Sequence, residues 1–281
     1  MKHYTLNAHG KLIDLSTPQV MGIVNVTPDS FYSGSRIHGL EALNKRIEEI
    51  INQGGTMVDV GAYSSRSDAE DISSEDEAGR LRPALQFIRD NYPNLVVSVD
   101  TFRADVAKMC VEEYGVSIIN DISGGEIDQK MFETVASLDV PYILMHMRGT
   151  PKTMQTLCQY EDIAVEVTDY FVQKIGKLRE LGVKDIILDP GYGFAKTLEQ
   201  NYLLMSKQEE VCNPFDLPVL VGISRKSMIY KLLGGTPQES LNGTSILNTY
   251  ALLKGTNILR VHDVKEAVEA VQIVQMLKGS N

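Results

Sequence analysis

The amino-acid sequence predicts an α/β fold, a single (β/α)8 barrel of the TIM class with an N-terminal β-hairpin. Three observations carry this. Eight short apolar runs recur along the chain, helical patterns fill the gaps between them, and no linker or low-complexity stretch divides the 281 residues. No repeat of about 20–50 residues is visible either. Residues 1–281 therefore read as one domain.

The hairpin comes first. Tyr4–Leu15 has a polar centre at Asn7–Gly10 and is expected to cover one mouth of the barrel. The strand runs follow as Val20–Val26, Met57–Val60, Val96–Val99, Ser117–Ile119, Tyr142–Met145, Ile186–Leu188, Val219–Val221 and Ile258–Val261. Each is short, often β-branched, and lacks clean polar alternation, as parallel strands buried on both faces do. Between them, Leu40, Leu43, Ile47, Ile50 and Ile51 mark one helix face, closed by Gly54–Gly55. Ile163, Val167, Phe171, Ile175 and Leu178 mark another, ending at Gly182, and Val264, Val268, Val271 and Val274 mark the last. Pro83 falls inside the Ser74–Arg89 pattern and is expected to kink or divide that helix. An open doubly wound sheet is the rival fold, but the Gly-rich phosphate turn GxGxxG does not follow the first run.

Composition narrows the function. Hydrophobic residues make up 43% and charged residues 23%, and 27 basic against 37 acidic side chains leave a formal charge of −10. With no dense Lys/Arg run, a nucleic-acid partner is not expected. Cys110, Cys158 and Cys212 have neither CxxC nor zinc-like spacing, which suits free thiols in a reducing compartment. The N-terminus lacks a signal-peptide core and no stretch approaches the ~18 apolar residues of a membrane span. A cytoplasmic enzyme with no membrane partner is the expectation.

In this fold chemistry sits at the C-terminal strand ends. Those ends carry Asn25 with Thr27–Phe31, then Tyr63–Arg66, Asp100, Asn120–Asp121, Met145–His146, Asp189, Ser224–Lys226, and Arg260 with His262. Each has a structural reading too. Asp100 could cap the helix beginning at Phe102–Arg103. Asp189 precedes the turn signature Pro190-Gly191, and Asp121 could anchor the turn at Ser123-Gly124-Gly125. Asn120, Ser224 and Ser227 could be caps or turn residues; His146, Met145 and Phe194 could simply pack. Independent structural needs should not place polar groups at every end, so the set points to a ligand.

The charges say what kind. Arg260 and His262 lie two apart on one strand and face the same way. With Lys226 and Arg66 they form a cationic patch suited to a phosphate. Asp100 and Asp189 stand against it, able to bind donor-rich edges or stabilise a cation. A ligand with an anionic end and a flat, hydrogen-bonding heterocycle satisfies both.

Six motifs in order, NVTPDSF, VDTF, INDISGG, LDPGYGFAKT, GISRKS and RVHDV, resemble those of the dihydropteroate synthases across nearly the whole chain. The resemblance implies condensation of 6-hydroxymethyl-7,8-dihydropterin diphosphate with 4-aminobenzoate, giving 7,8-dihydropteroate and diphosphate for folate biosynthesis. It implies a pterin held by Asp189 and Asn120 on one edge and by Asp100 and Lys226 on the other. Met145, Phe194 and Gly222 would form the floor and wall. Diphosphate would sit on Arg260, His262 and Arg66, with Mg²⁺ attached through Asn25. Aminobenzoate would enter near Phe31, Ser65, Arg66, Lys226 and Ser227. The catalytic set is Asp100, Lys226, Arg260 and His262.

Because the amine is a poor nucleophile, the expected mechanism is S_N1-like. The C–O bond breaks first; Arg260, His262 and Mg²⁺ stabilise the leaving charge, and Asp100 stabilises the pterin cation. The family also implies a homodimer. This chain departs from the family pattern in two loops: Arg66 is followed by Ser67-Asp68 instead of Pro-Gly, and Phe31-Tyr32-Ser33-Gly34 stands where Phe-Ser-Asp-Gly is common. Both changes bear on aminobenzoate affinity and on the response to competing sulfonamides. Two other readings are a pterin-binding methyltransferase barrel, which would need neither TPDSF nor the Arg260/His262 patch, and a catalytically silent pterin-binding paralogue.

Overall fold

The computed structural model describes residues 4–8, 10–26, 36–64 and 71–279. Two antiparallel strands, β1 (Thr5–Ala8) and β2 (Lys11–Asp14), form the N-terminal hairpin. Eight parallel strands follow: β3 (Gln19–Asn25), β4 (Met57–Gly61), β5 (Val96–Asp100), β6 (Ile118–Asp121), β7 (Tyr142–Met145), β8 (Ile186–Asp189), β9 (Leu220–Val221) and β10 (Ile258–Val261). Each pairs with the next in sequence, β10 pairs with β3, and a bridge between Leu188 and Val219 brings β8 to β9. The result is a nearly closed barrel. Helices α1 (Arg36–Asn52), α2 (Ser74–Asn91), α3 (Ala104–Tyr114), α4 (Met131–Leu138), α5 (Ile163–Glu180), α6 (Leu198–Ser206), α7 (Gln208–Cys212), α8 (Ser227–Leu233), α9 (Leu241–Leu253) and α10 (Val264–Gly279) surround it.

Two apolar clusters show how the strands divide their residues. Val20, Val24, Val58, Val60, Val97, Val99, Ile119, Leu144, Leu188, Val221, Leu259 and Val261 pack outward with the buried helix faces. The alternate positions Met21, Met57, Ile118, Ile143, Ile187, Leu220 and Ile258 form a second cluster inside the barrel. Leu6, Ala8, Ile13 and Leu15 belong to that inner cluster, so the hairpin seals the N-terminal mouth. Burying each of the leucine and isoleucine side chains is worth about 1.5–3 kcal/mol. That end of the barrel is therefore closed by packing, and a ligand must enter from the other.

The helices largely follow the apolar pattern. In α1, Leu43, Ile47 and Ile50 are buried, but Ile51, expected on the same face, is 40% exposed. Ile50 instead fills the space left by Gly22, where a Cβ would stand 2.6 Å from the Ile50 side chain. Pro83 does not divide α2, which runs unbroken from Ser74 to Asn91. The residue four before it is Gly79, exposed and with no packed neighbour within 4 Å of where its Cβ would be, so nothing outside the helix resists an outward tilt of that turn. Leu81, Ala84, Leu85 and Ile88 stay buried throughout. Among the described residues no helix is long and apolar enough to cross a membrane.

Candidate active site

Moving one inward position up each strand from the apolar plug changes the chemistry abruptly. The next layer reads Ile23, Asp59, Ser98, Asn120, Met145, Asp189, Gly222 and Arg260, and above it come Asn25, Gly61, Asp100 and His262. The period of two along each strand thus places the expected residues over one another, facing the same space.

Arg260 is the hub of this layer. Its Nε donates to Asp59 Oδ2 at 2.6 Å and its second terminal nitrogen to Asp100 Oδ2 at 2.9 Å. A guanidinium has five N–H donors, so these two bonds leave others for an anion. Asp59 Oδ2 also accepts from Asn120 Nδ2 at 3.0 Å. The sequence suggested a cationic patch facing separate carboxylates; instead the charges interleave in one network. On the opposite side, Asp189 Oδ1 accepts the Gly191 N–H at 2.8 Å, which fixes the Pro190-Gly191 turn. Gly191 has φ +68, and a Cβ there would lie 2.0 Å from the His146 carbonyl oxygen, so only glycine fits.

Lys226 reaches in from the N-terminus of α8. Its Nζ donates to the Tyr192 carbonyl at 2.6 Å and lies 4.4 Å from the centre of the Phe194 ring. Met145 and Phe194 are buried in an apolar cluster with Phe102, Ile122, Met147 and Met154, which makes one wall. Gly222 stands beside the Arg260 stem, and a Cβ there would meet nothing closer than 3.8 Å. No neighbouring atom forces glycine at this point.

Burial and charge set the protonation states. The Asp100 carboxyl is pushed up to about 7 by burial, with Asp59, Glu77 and Asp121 adding to the effect and Arg260 opposing it. Burial also raises Asp189, against Lys226, the Gly191 N–H and Arg260. Lys226 is lowered to about 8 by burial, with Asp189 resisting. Arg260 is raised despite burial, because Asp59 and Asp100 outweigh it. His262 is lowered to about 4, by burial and then by Arg260. It was expected to be part of a cationic patch, but in this environment it is neutral near pH 7. A half-buried imidazolium two residues from the Arg260 guanidinium is unfavourable.

The alternative structural readings divide. Asp100 is not a helix cap: α3 begins at Ala104, whose N–H is taken by Asp128 Oδ2 at 2.8 Å. Asp121 is structural, accepting from the Ser123 N–H and hydroxyl, the Gly125 N–H and the Tyr142 hydroxyl. His146 packs, with Nδ1 3.0 Å from Lys196 Nζ. Ser224 Oγ accepts the His262 N–H at 3.1 Å, whereas Ser227 opens α8 at the rim. Arg225, also at this strand end, is turned away into an ion pair with Asp263. Phe31, Ser65 and Arg66, and both departing loop segments, lie outside the described residues.

Two residues of this region, Asp59 and Lys196, do not stand out in the sequence as site residues. Asp59 sits inside the run Met57–Val60, where its neighbours disguised it as strand filler; the two-residue step from Met57 was the available signal. Lys196, in the LDPGYGFAKT motif, is buried and donates to the carbonyls of Gly191 and Phe194 at 2.9 and 3.0 Å. It ties down the turn that presents Phe194.

The sequence pattern of the family described as "Pterin binding enzyme" matches residues 21–262. The dihydropteroate synthase of Escherichia coli (strain K12) is 42% identical over 272 residues, covering 96% of this chain and 95% of that protein. Among solved structures, the Yersinia pestis dihydropteroate synthase in complex with a sulfonamide drug superposes with a TM-score of 0.90 at 37% identity, covering 98% of this chain and 100% of that one. The Xanthomonas albilineans dihydropteroate synthase with 4-aminobenzoic acid gives 0.87 at 32% identity, covering 99% of both chains. With that likeness spanning both the barrel and the polar layer within it, the chain belongs to the dihydropteroate synthase family of pterin-binding enzymes.

Proposed function

We propose that this protein condenses 6-hydroxymethyl-7,8-dihydropterin diphosphate with 4-aminobenzoate, releasing diphosphate and forming 7,8-dihydropteroate. The observation that carries the reading is the contact of Arg260 with Asp100, which couples an anion-binding donor to a carboxylate at 2.9 Å. Asp189 and Asn120 are proposed to hold the amino-pyrimidine edge of the pterin, with Asp100 and Lys226 on the other edge. Met145, Phe194 and the space over Gly222 accommodate the ring faces. Arg260 and His262, joined by Arg66, bind the diphosphate. Phe31, Ser65, Arg66, Lys226 and Ser227 receive aminobenzoate.

In this reading the C–O bond breaks before the amine attacks. Charge leaving on diphosphate is stabilised by the free N–H groups of Arg260 and by His262, and charge appearing on the pterin by Asp100. The amine needs no base beforehand, since its lone pair is already available. Magnesium fits at Asn25, an exposed amide oxygen donor at the end of β3. Among the described residues no cluster of His, Cys, Asp or Glu could hold a metal alone, so the remaining oxygens would come from diphosphate and water. When bound, the ion would help neutralise the diphosphate.

A homodimer is supported by the exposed apolar residues of three adjacent helices: Leu232 and Leu233 on α8, Ile246 and Leu253 on α9, Ile273, Met276 and Leu277 on α10. A cytoplasmic location is supported by the free cysteines, two of them buried. The deciding assay is diphosphate release from pterin diphosphate with and without aminobenzoate. Release that depends on aminobenzoate and yields dihydropteroate is expected; a protein that binds the pterin and releases nothing would refute the reading.

A further inference from the structure

Asp59 is the one carboxylate of the polar layer to which the proposed reaction assigns no task. It is fully buried on the inward face of β4. Its Oδ2 takes one donor from each side: Arg260 Nε from β10 at 2.6 Å and Asn120 Nδ2 from β6 at 3.0 Å. In the barrel order, β10 and β6 each lie two strands from β4, on opposite sides. A single oxygen thus joins a residue of the diphosphate end to one of the pterin end.

We infer that Asp59 is a positioning residue, which sets the guanidinium of Arg260 and the amide of Asn120 in one mutual orientation before substrate binds. Arg260 would otherwise hang from Asp100 by a single bond, about which the planar fork can swing. Asn120 would lose the contact that distinguishes its nitrogen from its oxygen, and its amide could turn over. Held by Asp59, Asn120 keeps its carbonyl oxygen and second N–H for the heterocycle, and Arg260 keeps its unused N–H groups for the anion.

A purely stabilising role fits the geometry poorly. Asp59 Oδ1 is buried and has no partner among the described residues, and the same is true of Ser98 Oγ, its register partner on β5. A buried carboxylate with an unsatisfied oxygen weakens a fold, and replacing such groups by uncharged ones of similar volume is often neutral or better. Stability alone does not account for a carboxylate at this position, which lies beside two site residues that it orients.

The inference rests on the function proposed above, and Asp59→Asn tests it separately. The variant keeps the shape and removes the charge that both donors share. The expected result is a fall of about tenfold or more in kcat/KM for pterin diphosphate, with KM for aminobenzoate within about twofold of wild type. The melting temperature should change by no more than a few degrees. Asn120→Ala should show strong coupling to it, so that the double variant loses much less than the product of the two single losses. Unchanged kinetics, independent losses, or equal loss toward both substrates with a large drop in melting temperature would each overturn the inference. So would failure of both Asp59→Asn and Asp59→Ser to fold, which would make Asp59 a structural ion-pair member. If the wild-type protein itself releases no diphosphate, the proposed function falls first.

Discussion

Arg260 and Asp100 are bonded to one another, guanidinium nitrogen to carboxylate oxygen at 2.9 Å, across strands that are not neighbours in the barrel. The two charges that the proposed reaction separates, on the departing diphosphate and on the pterin, would develop on either side of this pair. Pairing in the resting protein keeps both groups pre-oriented, so little rearrangement is needed at the moment of bond cleavage.

Asp100→Asn should therefore affect turnover rather than binding. The amide can keep a polar contact with the ring but cannot balance a cation. We expect kcat to fall about a hundredfold or more, with pterin affinity changed only a few-fold. Single-turnover rates set beside calorimetric binding decide the matter; a parallel loss of both would remove the transition-state role.

The pH dependence has a definite sign. With the Asp100 carboxyl raised to about 7, it takes up a proton as pH falls through that value. Activity should decline on the acid side with a limb near pH 7, and Asp100→Asn should abolish that limb. Stability runs the other way: between the unfolded value of about 3.9 and the folded one, the native state holds the extra proton. Asp100 therefore costs stability as pH rises through this window. A pH–rate profile without an acid limb would contradict the assignment.

His262 should take up a proton when diphosphate binds. Its folded value of about 4 keeps it neutral in the unliganded protein, and an adjacent anion favours the imidazolium. Calorimetry at pH 5.5–6 in buffers of different ionisation enthalpy should reveal net proton uptake, and His262→Asn should remove it. Equal apparent enthalpies in all buffers would count against contact between His262 and the anion.

Gly191→Ala should be costly although it adds one methyl group. The backbone is at φ +68 and the His146 carbonyl oxygen stands 2.0 Å from the new atom. A loss of about 2 kcal/mol or more is expected, readable by urea denaturation. Because the Gly191 N–H orients Asp189, pterin affinity should fall as well. A variant of wild-type stability would show that the turn relaxes more easily than its contacts imply.

The apolar surface offers a fifth check. Ile273→Glu with Met276→Glu should shift the protein toward monomer in sedimentation velocity while leaving the melting curve of the barrel cooperative. An unchanged sedimentation coefficient would place the dimer contact elsewhere or remove it.

The barrel was legible because burial on both faces leaves a plain imprint: short β-branched runs at regular intervals, with helical stripes between them. Boundaries were less so. Ser117–Ile119 is in fact Ile118–Asp121, and only Leu220–Val221 of the seventh run is strand. Asn120, Asp189, Arg260 and His262 were legible as candidates because polar groups ending apolar runs are conspicuous. Asp59 was not, because one acid within Met57–Gly61 looks like an interruption until its inward neighbours are known. The neutral state of His262 was equally hidden, since it depends on burial and on Arg260 two residues away.

What the amino-acid order determined by itself was the repeating pattern of strand and helix, the polar residues at the rim and the motifs that carry the family likeness. These are local properties, written in spacing and residue type. Only the tertiary structure decided which charges meet, because Asp59, Asp100, Asn120 and Arg260 are brought together by barrel closure across as many as 201 residues of chain. Contact at that range depends on strand register and on which side chains share the interior, and neither is a property of any one segment.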